Sequence, residues 1–354
     1  MLRVRRCKTL GRTKLFILII CLYCLSYVKK QLSLPPTLQT TPLKMRLTNI
    51  NSNATFRYEI VRANMSASRK EMGLTENHNF NLSRFMALNA SNIDFDEAIR
   101  SLIQITHEAT WKCLKTVNVG GKRYCPHNQA SIYDGFKPVC LDEAVKPKPK
   151  SCIVLSFGVG YEWSFDNMIA QYGCKVFSFD FSMRNYTNFW YGEGKHFLTL
   201  MLSNKTTDKI TYTIGKGETR DKKFLLNISQ RTLEGILNIL DLAETQIDYL
   251  KLDIEEDEWE VFLQIFSSSK RSSILRKINQ IVIEIHLEFL LNMYEDRDAV
   301  VDKVYDVFEV LQNLSLEGFR MVNWMPNKQT GSAFKYSNLT MSLFQELHFI
   351  RVAG

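Results

Sequence analysis

From residue 151 onward the hydrophobic pattern alternates between two kinds of segment. Short apolar runs occur at Cys152–Phe157, Lys175–Phe179, His196–Leu202, Ile247–Leu252, Ile278–Ile285, Phe319–Trp324 and Leu339–Val352, the last long enough to divide in two. Between them, apolar residues fall at helical spacing over Trp163–Tyr172, Arg231–Ala243, Glu258–Ser267 and Val300–Leu314. Continuous apolar runs separated by helices predict parallel strands buried on both faces. The final strands, joined by a short connection, suit an antiparallel edge. The fold class is α/β, and residues 151–354 form its main domain.

Upstream the pattern weakens. Asp94 to Leu114 places Ile99, Leu102, Ile103, Ile105 and Trp111 at spacings compatible with a helix. The segment "GGKRYCPHNQASIYDGFKPVCLDEAVKPKPK" then reads as turns, two cysteines and a Lys/Pro linker. Residues 93–150 are expected to make a small helical, cysteine-containing cap ahead of the sheet. Residues 29–92 carry Pro35, Pro36 and Pro42, many Asn, Ser and Thr, and no sustained apolar period, which predicts a disordered stem.

Leu15 to Val28 is a run of 14 uncharged, mostly apolar residues. As a helix it would be about 21 Å long, short for a bilayer core of roughly 30 Å. Six basic residues precede it and two follow, which holds residues 1–14 in the cytosol and sends the rest across. An uncleaved type II signal anchor is favoured over a cleaved signal peptide, for which only Cys24-x-Ser26 offers a weak cleavage pattern. On either reading the remainder is lumenal or extracellular, in the secretory pathway. The formal net charge of +8 resides entirely in the first 30 residues, so the rest of the chain is neutral, which argues against a nucleic-acid partner.

Nine Asn-x-Ser/Thr sequons lie downstream of the apolar run, four of them crowded into residues 53–91 as in a glycosylated stalk. Five cysteines follow the stem (Cys113, Cys125, Cys140, Cys152, Cys174), where an oxidising compartment permits disulfides. The odd number leaves at least one thiol, and the pairing stays open. Cys152 and Cys174 fit a bridge and a pair of buried thiols equally well.

Ligands of an open parallel sheet bind beyond the carboxyl ends of the strands, where strand order reverses. "SFGVG" at the end of the first run supplies Gly158 and Gly160 for a tight bend, and Asp180 ends the second run 22 residues after Gly158. An acid there can accept hydrogen bonds from both hydroxyls of a ribose. A dinucleotide site would add a third glycine beside its pyrophosphate. Here Tyr161, Glu162 and Trp163 follow instead. An acid is wrong beside phosphate and right beside a sulfonium or ammonium, which points to S-adenosylmethionine. "IDYLKLDIEEDEWEVF" offers Asp253 and Glu255 at i, i+2. The competing reading of that stretch is helix capping by acids near an N-terminus. "IVIEIHLEF" places Glu284 and His286 on one face of a strand end, with His286 the candidate base.

"CIVLSFGVGYEWSFD", "GCKVFSFDFSM", "TLEGILNIL", "IDYLKLDIEEDEWEV" and "IVIEIHLEF", in that order and spacing, resemble the FkbM-type S-adenosylmethionine-dependent methyltransferases. The similarity is greatest to the membrane-anchored methyltransferase-like protein 24 group and spans residues 134 to about 352. The resemblance implies a Rossmann-like sheet of seven strands. It implies a cofactor held by the Gly158–Gly160 loop and by Asp180, and a family pattern carried by Lys251, Asp253 and Glu255. The expected cofactor contacts are thus Phe157, Gly158, Gly160, Glu162, Asp180 and Phe181, and the expected catalytic residues His286, Asp253 and Glu255. No metal is implied. The expected acceptor is a glycan, small molecule or protein methylated on oxygen. Two departures stand out: Glu256 replaces the family's glycine, and Ser156 stands where many methyltransferases have an acid, leaving Glu162 to meet the methionine amino group. Two alternatives remain, a noncatalytic binding member and a lumenal glycosyltransferase. The latter needs a metal-binding Asp-x-Asp after a strand, which neither Asp94-Phe95-Asp96 nor Asp296-Arg297-Asp298 provides.

Overall fold

The computed structural model describes residues 94–352 except 125–131, 184–187, 191, 193, 215–223, 256 and 328–332. The segments expected to form the basic tail, the anchor and the stem, together with Cys125 and Glu256, lie outside the described residues. Among those described, no helix is long and apolar enough to cross a membrane.

In chain order the elements are α1 (Phe95–His107), β1 (Thr116–Tyr124), β2 (Ile132–Cys140), β3 (Ile153–Phe157), α2 (Ser164–Tyr172), β4 (Lys175–Phe179), β5 (Phe189–Trp190), β6 (Lys195–Leu198), β7 (Leu200–Leu202), β8 (Thr207–Ile214) and β9 (Phe224–Arg231). There follow α3 (Leu233–Ile239), β10 (Ile247–Leu252), α4 (Glu258–Ser267), α5 (Arg271–Leu275), β11 (Ile278–His286), α6 (Phe289–Asn292), α7 (Arg297–Leu316), β12 (Phe319–Pro326), β13 (Ala333–Tyr336), β14 (Leu339–Ser342) and β15 (Phe344–Arg351).

The main sheet runs β12-β15-β11-β10-β3-β4-β6-β5. Strands β6, β4, β3, β10 and β11 are mutually parallel. Strand β15 is antiparallel to both β11 and β12. These seven are the expected sheet with its antiparallel edge, and the two-residue β5 adds an eighth strand beside β6. Side chains alternate across it: Leu155, Phe157, Leu250 and Leu252 enter one cluster, while Val154 and Tyr249 enter the other. The first face is covered by α1, α3, α4 and α7 through Leu102, Ile236, Phe262 and Phe308. Each such fully buried side chain contributes about 1.5–3 kcal/mol of transfer free energy.

The second face is covered by α2 and by the β1–β2 hairpin, through Phe165, Ile169, Val117 and Val139. The Tyr249 hydroxyl donates to the Pro138 carbonyl at 2.7 Å, fastening the hairpin to β10. Helix α1 and strands β1 and β2 are thus built into the two faces of the sheet rather than set ahead of it as a cap. The stretch read as turns is a nine-residue pair of strands. Gly120, Gly121 and Pro138 hide its period, and the pairing register skips Gly121. The first helix ends at His107, so Trp111 lies past it and is half exposed.

The run expected over His196–Leu202 divides, because Thr199 turns aside to bond Asn188 Oδ1 through both N–H and Oγ. Strand β7 then joins a separate three-stranded sheet, β7-β9-β8, whose β8–β9 hairpin has no counterpart in the sequence reading. Disulfides join Cys113 to Cys140 and Cys152 to Cys174. The second connects the entrances of adjacent strands β3 and β4 and closes a loop of 22 residues, a constraint of about 3 kcal/mol on the unfolded chain.

The topology decides where a ligand can sit. The chain leaves β3 toward β4 and β6, then crosses back to β10 and β11 on the other side of β3. The reversal brings the carboxyl ends of β3 and β10 side by side.

Candidate active site

At the end of β3 the backbone turns at Gly158, with φ 76°. Its N–H donates to the Phe179 carbonyl of β4 at 2.9 Å. The turn presses on the neighbouring strand end so closely that a Cβ at Gly158 would meet the Asp253 carbonyl oxygen at 1.6 Å. Lys251 locks the bend from below: its Nζ donates to the carbonyls of Phe157, at 3.1 Å, and of Gly158. Gly160 also has positive φ, but a Cβ there would meet nothing within 4 Å, so this part of the bend faces open space.

Asp180 follows β4 and is buried. Its Oδ2 accepts from the Gly160 N–H at 2.7 Å, and its Oδ1 accepts from the Ser182 N–H at 2.7 Å and the Ser182 hydroxyl at 2.6 Å. Three of its roughly four acceptor sites are therefore filled by protein donors, which leaves room for one more rather than for two ribose hydroxyls. Glu162 is engaged as well. Its Oε1 accepts from the Ser164 N–H at the start of α2, and its Oε2 lies 2.9 Å from Lys122 Nζ on the hairpin.

These loops enclose a cavity of about 1060 Å³. All nine residues singled out from the sequence line it: Phe157, Gly158, Gly160, Glu162, Asp180, Phe181, Asp253, Glu255 and His286. One side is apolar, with Phe179, Leu200, Met201 and Leu202 beside Phe157 and Phe181. The lining carries eight carboxylates (Asp134, Glu162, Asp180, Asp253, Glu255, Asp257, Glu284, Glu288) against Lys137, Lys251 and His286. Such a surface favours a cationic ligand.

Asp253 and Glu255 both reach the cavity, although β10 ends at Leu252 and Glu255 turns with φ 62°. The N-cap of α4 is Asp257, whose side chain makes no capping bond. Glu258 instead reaches back to the Ile254 N–H at 2.9 Å. The capping reading of this acidic stretch thus survives only as the first-turn placement of Glu258 and Glu260. The same Oε1 lies 2.9 Å from His286 Nδ1, and His286 Nε2 lies 3.9 Å from Glu255 Oε2. Burial alone would lower the pKa of His286, but the hydrogen bond and charge of Glu258, with Asp253 and Glu284 nearby, carry it up to about 9.

Behind the histidine lies a second charged group. Lys137 of β2 is buried and contacts Glu284 Oε2 at 3.2 Å, Asp253 Oδ2 at 3.5 Å and Glu346 of β15. Asn327 Nδ2 donates to the other oxygen of Glu284 at 2.6 Å. Against the cost of burial, the Lys137 cation and Asn327 hold Glu284 down to about 2. Burial pushes Glu346 up to about 8 against the pull of Lys137, because one cation serves three carboxyls.

The sequence reading missed Lys137, Asn327 and the pairing role of Glu258. Lys137 stood in a stretch taken for turns, where the only hint was a lysine between Phe136 and Val139. Asn327 follows β12 and meets Glu284 only through the fold, and Glu258 looked like any first-turn acid.

No curated protein matches the chain significantly. Residues 103–336, well over half of the chain, match the family model described as a methyltransferase domain. With the reversal in strand order, the glycine bend and the acidic cavity beneath it, the chain belongs to this methyltransferase domain family.

Proposed function

We propose that the protein is an S-adenosylmethionine-dependent methyltransferase acting on an oxygen of a glycan, small-molecule or protein acceptor in the secretory pathway. The observation that carries this reading is the convergence of the Gly158–Gly160 bend, Asp180 and the acidic wall on one cavity. The fit rests on three features: open space over Gly160, apolar walls for a purine, and carboxylates for a ligand carrying a sulfonium and an ammonium but no phosphate. Bound S-adenosylmethionine would supply a methyl group on a sulfonium, which the acceptor oxygen would take in line as the carbon–sulfur bond breaks and its electron pair stays on the thioether.

Gly158 and Gly160 would admit the methionine end, Asp180 would accept one ribose hydroxyl, and Glu162 would face the amino group. Phe157 and Phe181 would border the nucleoside. Asp253 and Glu255 would orient the acceptor hydroxyl, whose proton passes to Nε2 of His286. Only the neutral imidazole can take that proton, so turnover should climb as pH rises through about 9.

Membrane anchoring and a lumenal site belong to the same reading. They are supported by the basic-flanked run Leu15–Val28, the sequons and the two disulfides, which persist in oxidising compartments. The glycosyltransferase alternative loses its metal motifs: Asp94 caps α1 through the Glu97 N–H, and Asp296 caps α7 through the Ala299 N–H.

Titration calorimetry of the purified chain separates the readings. Binding of S-adenosylmethionine without UDP-sugar supports the proposal. UDP-sugar binding alone favours a glycosyltransferase, and silence with both favours a noncatalytic member.

A further inference from the structure

We propose that Glu258 is the positioning residue of the acceptor site: from inside the fold it fixes both the orientation and the tautomer of His286, presenting Nε2 alone to the cavity. The catalytic meaning of this inference rests on the methyltransferase reading above, whereas its geometry does not.

Glu258 is fully buried at the start of α4. One oxygen, Oε1, serves two partners from different elements, the Ile254 N–H and His286 Nδ1, each at 2.9 Å. A carboxylate only accepts, so the shared proton belongs on Nδ1. The ring is held from the other side by Phe344 of β15, edge-on with centroids 5.4 Å apart. With Nδ1 committed and the ring walled, Nε2 is the nitrogen left toward Glu255 and the cavity.

The charge on Glu258 matters as much as its position. Among the described residues its Oε2 has no hydrogen-bond partner, so a fully buried anion is matched chiefly by the imidazole. Among the described residues, the other charged groups facing the ring are Asp253 and Glu255 from the loop after β10 and Glu284 from its own strand. Asp253 and Glu284 are already shared with Lys137, and Asp253 also with Lys251. Glu258 is therefore the group that holds the imidazolium, in accord with the upward displacement of His286 to about 9.

Glu258→Gln tests this with little change of shape. The amide oxygen can still accept from Ile254 and from Nδ1–H; the charge is removed, and an NH2 group takes the place of the unpartnered Oε2. The readout is the NMR titration of His286 in the full chain, its signal assigned by loss in His286→Asn. The wild-type ring should titrate near 9, and its neutral form should keep the proton on Nδ1. The Gln variant should fall by about two pH units or more, to the ordinary imidazole value or below it, since burial then acts with little opposition. The rising limb of kcat against pH should move with it, while KM for S-adenosylmethionine stays put. A variant that titrates like wild type overturns the proposal, as does a drop in kcat with no movement of the limb. If Glu258→Gln does not fold, the wild type decides alone: a value at or below 6.5, or a neutral ring that keeps its proton on Nε2, overturns it. Failure of S-adenosylmethionine to bind would sink the methyltransferase reading and leave the titration result standing.

Discussion

The carbonyl oxygen of Asp253 occupies the space in which a side chain at Gly158 would begin, 1.6 Å from its Cβ position. The bend that ends β3 and the loop that ends β10 are thus mutually dependent. Gly158→Ala combines that clash with a left-handed backbone and should cost about 3 kcal/mol or more. Gly160→Ala meets only open space and should cost about 1 kcal/mol. Urea unfolding of the two variants checks the ranking, and equal losses would contradict the packing described.

Lys137 gathers Glu284, Glu346 and Asp253 around one buried ammonium. Truncating it to Ala or Met leaves the buried Glu284 carboxylate without its cation, and such losses run to about 3–5 kcal/mol. The variant should unfold at clearly lower urea, and the deficit should narrow at low pH, where the carboxyls are protonated. A deficit independent of pH would assign Lys137 a packing role only.

Stability should decline above neutral pH. His286 is raised from 6.5 to about 9 in the folded chain, so folding favours its proton. Its contribution, on the order of 3 kcal/mol, is complete below pH 6.5 and is lost as pH rises through 9. Glu346, raised from 4.5 to about 8, acts in the same direction. His107 and His348 act oppositely: lowered to about 4 and about 3, they are buried neutral, and they weaken the fold only as pH falls below 6.5. The urea midpoint should therefore drop between pH 7 and pH 9, and a rise across that window would contradict these environments.

The parallel strands were legible because burial on both faces writes continuous apolar runs such as "CIVLSF" and "IVIEI". Gly158 and Asp180 were legible because strand ends impose them locally. The β1–β2 hairpin was not: its glycines and Pro138 look like turn residues until Tyr249 and α2 supply the surface on which they lie. Lys137 and Glu258 were hidden for a related reason. Lys137 meets Glu284 and Glu346 across 147 and 209 residues of sequence and Glu258 meets His286 across 28, contacts that no local pattern encodes.

Asn338 is exposed in the turn between β13 and β14 and heads the sequon Asn338-Leu339-Thr340. If the domain passes through the secretory pathway, this site is accessible to glycosylation. Glycosidase treatment should shift the mass of the chain expressed in a secretory cell, and Asn338→Gln should remove one glycan. A chain bearing no glycan at Asn338 would weigh against a lumenal domain.

The central claim is that the cavity beneath Gly158 and Asp180 holds S-adenosylmethionine beside His286. A crystal structure with S-adenosylhomocysteine tests it most directly. The account predicts the nucleoside between Asp180 and Leu200–Leu202, the methionine end against the glycine bend, and the sulfur facing the side that holds His286. A ligand bound elsewhere, or a cavity that excludes it at saturating concentration, would contradict it.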